Sequence, residues 1–112
     1  MSNVKFLHQN DFGYACRCPK DGKVKVYFGN VGLIATPAEF LVFRKYIAEA
    51  YQHYNQSECW PSTRNIALQT PVHNLLLIFN LMELAQLWEV LENSALMLEV
   101  EQVFSGTNSD QS

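Results

Sequence analysis

The 112-residue sequence has no lysine or arginine beyond Arg64, no long apolar run, few cysteines and no recognisable catalytic signature. Each absence excludes something. Three cysteines, an odd number, make a poor disulfide framework. No charge-free apolar run reaches about 18 residues, so a membrane-spanning helix is not expected. The opening Met1-Ser2-Asn3-Val4-Lys5 lacks the basic-then-apolar order of a signal peptide, and the cytoplasm is the expected location. No nucleophile elbow, glycine-rich phosphate loop or H-E-x-x-H run is present. The expectation is therefore a protein without enzymatic activity.

What is present is a foldable chain. Hydrophobic residues make up 48% and charged residues 17%, which excludes a disordered polymer. The length fits one domain, expected over residues 1–104, with a flexible tail at 105–112. The net charge of −3 hides an asymmetry: the chain up to Arg64 carries +3 and the remainder −6. Two halves that face and neutralise each other explain this more simply than a basic patch for an anionic partner. A sequence pI near 5.5 argues against a nucleic-acid partner.

The chain is organised around Leu76-Leu77-Ile78-Phe79-Asn80 and the amphipathic stretch that follows. Asn80 is placed to cap a helix, and Glu83 three residues later closes a capping box. Forty-four positions earlier Thr36 caps, Pro37 takes the first helical position and Glu39 answers. Phe40, Phe43 and Ile47 then match Leu84, Leu87 and Leu91 without a gap, and Gly29-Asn30 matches His73-Asn74 at two hairpin turns. The pattern reads as a duplicated β-hairpin–helix unit.

In chain order, alternation predicts strands over residues 4–9, 14–18, 23–28 and 31–35, with Pro19-Lys20-Asp21-Gly22 as a turn. A helix follows over 37–54, then a polar connector, a second hairpin over 66–70 and 75–79, and a last helix over 81–104. Asn93-Ser94 is the weak point of that helix, although neither residue forces a break. The predicted fold is α+β, an antiparallel sheet with both helices packed on one face.

One local pattern suggests chemistry. Cys18-Pro19-Lys20-Asp21-Gly22 has the outline of a zinc knuckle, C-P-x-C-G, with Asp21 where the second thiolate belongs. Cys16 and Cys18 share a strand face, and Cys59 or a histidine would have to complete a site. Small core cysteines beside an ordinary turn are the plainer reading. Tyr14, Cys18, Asp21, the run from Val24 to Gly29, the helix start at Thr36, Leu77-Ile78-Phe79, Glu83-Leu84 and the Leu91, Ala95, Leu98-Glu99 tail resemble a family of short uncharacterised bacterial proteins, found mainly in Bacteroidetes and classed as a domain of unknown function. The resemblance covers most of the chain. It implies hydrophobic patterning and no catalytic residues. Some members of the family carry cysteine where Asp21 stands, a departure that speaks against metal here.

The histidines His8, His53 and His73 stand alone. Tyr51, His53 and Trp60, at the end of the first helix, are the candidates for lining a ligand pocket. Lys20, Lys23 and Lys25 beside Tyr14 and Tyr27 form a thin basic–aromatic surface. The last helix carries more apolar residues than one face can bury: Leu96, Met97, Val100, Val103 and Phe104 form the candidate surface for a homodimer. The expected function is a small interaction or regulatory module that self-associates, with no cofactor. A zinc protein using Cys16, Cys18 and Cys59 is the alternative, and a small-ligand binder or enzyme the third reading.

Overall fold

A computed structural model of the chain describes residues 4–56 and 64–110, with side chains through Gln102. Cys59 and Trp60 lie outside the described residues, as do the side chains of Val103 and Phe104. The elements are β1 (Lys5–Gln9), β2 (Gly13–Arg17), β3 (Val24–Phe28), β4 (Val31–Ala35), α1 (Pro37–Asn55), β5 (Ile66–Gln69), β6 (Leu76–Phe79) and α2 (Leu81–Asp110). The architecture is α+β, as expected. The six strands form two sheets, a four-stranded antiparallel meander in the order β1-β2-β3-β4 and a separate hairpin β5-β6.

The alternation in β3 sets the faces of the larger sheet. Val24, Val26 and Phe28 are buried, while Lys25 and Tyr27 between them are partly exposed. Ala15 on β2 and Leu33 on β4 pair with Val26 and share its inner face. In β1 the register shifts between Phe6 and His8, which turns Leu7 into the core and leaves Phe6 outside. Gly13 is required where it stands: an added Cβ would lie 2.1 Å from the Tyr27 carbonyl oxygen.

Both helices begin as predicted. The Thr36 hydroxyl accepts the Glu39 N–H at 3.1 Å, and the Glu39 carboxylate accepts the Thr36 N–H at 2.8 Å. At α2 the Asn80 side-chain oxygen accepts the Glu83 N–H at 2.7 Å and Glu83 accepts the Asn80 N–H at 2.9 Å. Two otherwise orphaned N–H groups are thus satisfied at each start. Phe40 and Ile47 of α1 and Leu84, Leu87 and Leu91 of α2 are fully buried. The helices pack on each other and on the inner face, α2 against β1 and β2 and α1 towards β4.

Helix α2 is continuous through Asn93-Ser94 and extends past Phe104 to Asp110, into the segment expected to be a tail. Asn93 turns its amide back to the Glu89 carbonyl at 2.9 Å. Ser94 is fully buried, and its hydroxyl has no hydrogen-bond partner.

The charge asymmetry resolves into ion pairs between the halves. Arg44 grips Glu92 through two parallel bonds of 3.1 and 2.8 Å, and Arg64 grips Glu83 through bonds of 3.1 and 2.7 Å. This forked geometry is the strong form of a carboxylate contact. Arg17 Nη2 lies 2.7 Å from Glu101, and the Lys5 ammonium lies 3.9 Å from the same carboxylate. The alignment at Arg17 is poor for hydrogen bonding, and its Nε is left without a partner. The contact is therefore best described as one of charge.

Candidate functional site

The two cysteines of the knuckle-like segment lie on the outer face of the sheet, away from the helices. Cys16 pairs with Lys25 across β2 and β3, and Cys18 continues the same face at the turn. Both are buried and carry free thiols. Burial pushes the Cys16 thiol above its ordinary value; Lys25 pulls it back and Cys18 adds to the rise. The turn itself closes through Cys18 and Lys23: the Cys18 N–H donates to the Lys23 carbonyl at 3.0 Å and the Gly22 N–H to the Cys18 carbonyl at 2.8 Å. Gly22 takes the positive φ of 73° that the turn demands.

Asp21 occupies the second ligand position of the knuckle and has local work. Its carboxylate accepts the Lys23 N–H at 2.9 Å. That bond is the main reason its carboxyl lies below the ordinary value, with Lys25, Cys18 and Lys23 adding to it and desolvation opposing. Among the described residues no three histidine, cysteine or carboxylate side chains gather as a metal would require. His8 sits 3.7 Å from Glu89, and the His53 ring meets Tyr54 edge-on at 4.8 Å.

Of the pocket candidates Tyr51, His53 and Trp60, the last lies outside the described residues. Tyr51 stacks on Trp88 with ring centroids 4.8 Å apart, and both pack against the core between α1 and α2. A different concavity exists instead. An apolar groove of about 780 Å³ runs along β4 between α1 and the β5–β6 turn. Ile34, Val42, Tyr46, Val72 and Leu75 line it and are exposed. Val42 is 70% exposed, and the Tyr46 hydroxyl donates to the Gln69 carbonyl at 3.0 Å, fastening one end of the groove. A signal for it was available in the sequence: Leu41 and Val42 continue an apolar run off the inward stripe of α1.

On α2 the inward positions after Leu91 are Ser94, Ala95 and Leu98. Leu96, Met97 and Val100 point elsewhere and are 57%, 42% and 39% exposed. Of the residues expected to form the dimer surface, Val103 and Phe104 have side chains outside the described residues. No helix of the described residues is long and apolar enough to cross a membrane.

With this geometry in view, comparison with known proteins gives one positive result. The family described as a family of unknown function (DUF6686) matches residues 1–105, and the chain belongs to it. No curated protein and no solved structure matches the chain.

Proposed function

We infer that the protein is a small interaction module without enzymatic activity, and that it works as a homodimer. The observation that carries this reading is the exposed apolar flank of α2 formed by Leu96, Met97 and Val100. Helix α2 has 30 residues, about 45 Å at 1.5 Å per residue, whereas a five-residue strand spans only about 17 Å. The helix therefore outruns the sheet that covers it, and the molecule measures 54 Å along its longest axis but 26 Å across. Apolar side chains left in water on a helix flank are the usual mark of a contact surface. A two-fold pairing of the same flank covers it with a single self-complementary patch. Val103 and Phe104 extend the patch in the sequence. The cytoplasm is the compartment this reading assumes, as free thiols at Cys16 and Cys18 suit a reducing environment.

Light scattering at tens of micromolar tests it on the wild type and on Leu96→Glu/Val100→Glu. The expected wild-type mass is twice the chain's 12.8 kDa. The variant is expected at one chain mass with unchanged circular dichroism. A wild-type mass of one chain overturns the dimer.

A further inference from the structure

The outer face of the four-stranded sheet carries three aromatic rings in contact. The Phe6 and Tyr14 centroids are 5.5 Å apart, and those of Tyr14 and Tyr27 are 5.0 Å apart. The Tyr27 ring lies over Gly32, where an added Cβ would come within 3.1 Å of the ring edge. The missing side chain lets the tyrosine lie across the neighbouring strand. Phe6 is 62% exposed, and Tyr14 and Tyr27 are partly exposed, so the platform is open to solvent. In the adjoining row Lys25 stands between Cys16 and Ile34. Lys23 continues that face opposite Cys18.

The whole-chain charge of −3 does not describe this face. The ion pairs of the described residues join Lys5, Arg17, Arg44 and Arg64 to acids of α2. None of them engages Lys20, Lys23 or Lys25. Asp21 shares their turn, which leaves the hairpin with three cations and one anion. The acids of α2 belong to the opposite layer of the fold.

Size decides between occupants. Four strands about 4.8 Å apart and about 17 Å long present a face of roughly 320 Å². A stable protein dimer buries about 800 Å² of accessible surface on each partner, so a second copy would have to reach beyond this face to be held here. Two or three stacked bases fit a four-stranded sheet of this size.

We propose that this outer face binds single-stranded nucleic acid, with bases stacked on Phe6 and the Tyr14–Tyr27 pair and phosphates following Lys25, Lys23 and Lys20. Every base offers a ring face, so the binding has little sequence preference. Duplex is rejected, because bases stacked on their neighbours within a duplex do not expose their faces. The inference is independent of self-association, which uses α2 on the other layer.

Fluorescence anisotropy with labelled oligo(dT) and oligo(U) of about ten nucleotides, a length within the range such folds bind, tests it beside a duplex of equal length. Both single strands should bind at low salt, and a preference between them tells whether the 2′-hydroxyl is read. Phe6→Ala, at an exposed position, should weaken binding about fivefold to a hundredfold, the range for loss of one stacked base. Lys23→Gln/Lys25→Gln should lower the slope of log K against log salt by about 1.4, two phosphate contacts on a single strand. Circular dichroism confirms that each variant is folded. The proposal is overturned if neither oligonucleotide binds, if the duplex binds as well as the single strand, or if folded Phe6→Ala binds like the wild type. It is also overturned if Phe6→Ala disrupts a dimer that has no affinity for either oligonucleotide, since the face is then a protein contact.

Discussion

The Asn10 side-chain amide donates to the Glu89 carboxylate at 2.7 Å, across 79 positions of sequence. The same nitrogen donates to the Gln86 carbonyl at 2.9 Å. The side-chain oxygen of Asn10 accepts the Phe12 and Gly13 N–H groups at 2.9 and 3.1 Å. One residue therefore shapes the β1–β2 turn and pins it to α2. Asn10→Ala removes all four bonds and should cost on the order of 2 kcal/mol, given that part of this network is solvent-exposed. Asn10→Asp keeps the acceptor for the turn and sets a second carboxylate against Glu89. It should also destabilise at neutral pH, and regain stability as the pH falls through the carboxylate range. Urea unfolding of the two variants at pH 7 and pH 4 checks both statements. Equal losses at the two pH values would show that charge is not the cause in the aspartate variant.

The two capping boxes should matter to a similar degree. Thr36→Ala and Asn80→Ala each expose a helix N–H, at a cost of about 1 kcal/mol. Thermal melts of the single variants measure this. An unchanged Tm for either variant would mean that its cap bonds are replaced by water without loss.

Local grammar made most of the fold legible in the sequence. The caps at Thr36 and Asn80, the alternation of Val24, Val26 and Phe28, and the turn at Gly29 are all set by near neighbours, and the structure places them as read. What could not be read depends on distant partners. Nothing local distinguishes one six-stranded sheet from the observed four-stranded meander with a separate hairpin. The roles of Asn10 and Glu101 rest on contacts that span most of the chain. The register shift between Phe6 and His8 interrupts the alternation of β1 and has no local signal. The groove beside β4 needed the positions of α1 and the second hairpin together. The paired-halves reading of the charge was correct in kind, but it hid Lys20, Lys23 and Lys25, which none of these ion pairs engages.

Glu83 should make stability fall in acid. Its carboxyl lies below the ordinary value of 4.5, chiefly because Arg64 hydrogen-bonds to it, with the Asn80 N–H and the Arg64 charge adding and desolvation opposing. A carboxyl whose folded pKa is depressed stabilises the fold fully above its unfolded value. That contribution is lost as the pH drops from about 4.5 through the lower folded value. Glu83→Gln removes the titration and both ionic bonds. The variant should be less stable than the wild type at pH 7, and the gap should narrow below pH 4.5. A gap of constant size from pH 7 to pH 3 would assign the effect to packing at the α2 start instead.

Ser94 offers the opposite kind of change. It sits fully buried among the inward positions of α2, and its hydroxyl has no partner. Burial strips water from a hydroxyl, and without a replacement bond this costs on the order of 1 kcal/mol or more. Serine also has lower helix propensity than alanine by a few tenths of a kcal/mol. Ser94→Ala removes one oxygen and leaves a void smaller than a methyl group, so the cavity term opposing the gain is small. The expected result is a variant more stable by about 1 kcal/mol, read as a higher urea midpoint with an unchanged slope. Ser94→Val tests the space around the same position. Its two extra carbons crowd a fully buried position, and overpacking of this kind costs about 1–3 kcal/mol. A destabilised Ser94→Ala would mean that the hydroxyl has a partner after all, most simply an ordered water between α2 and the sheet. In that case the alanine variant would lose a bridging hydrogen bond instead of an unpaired group.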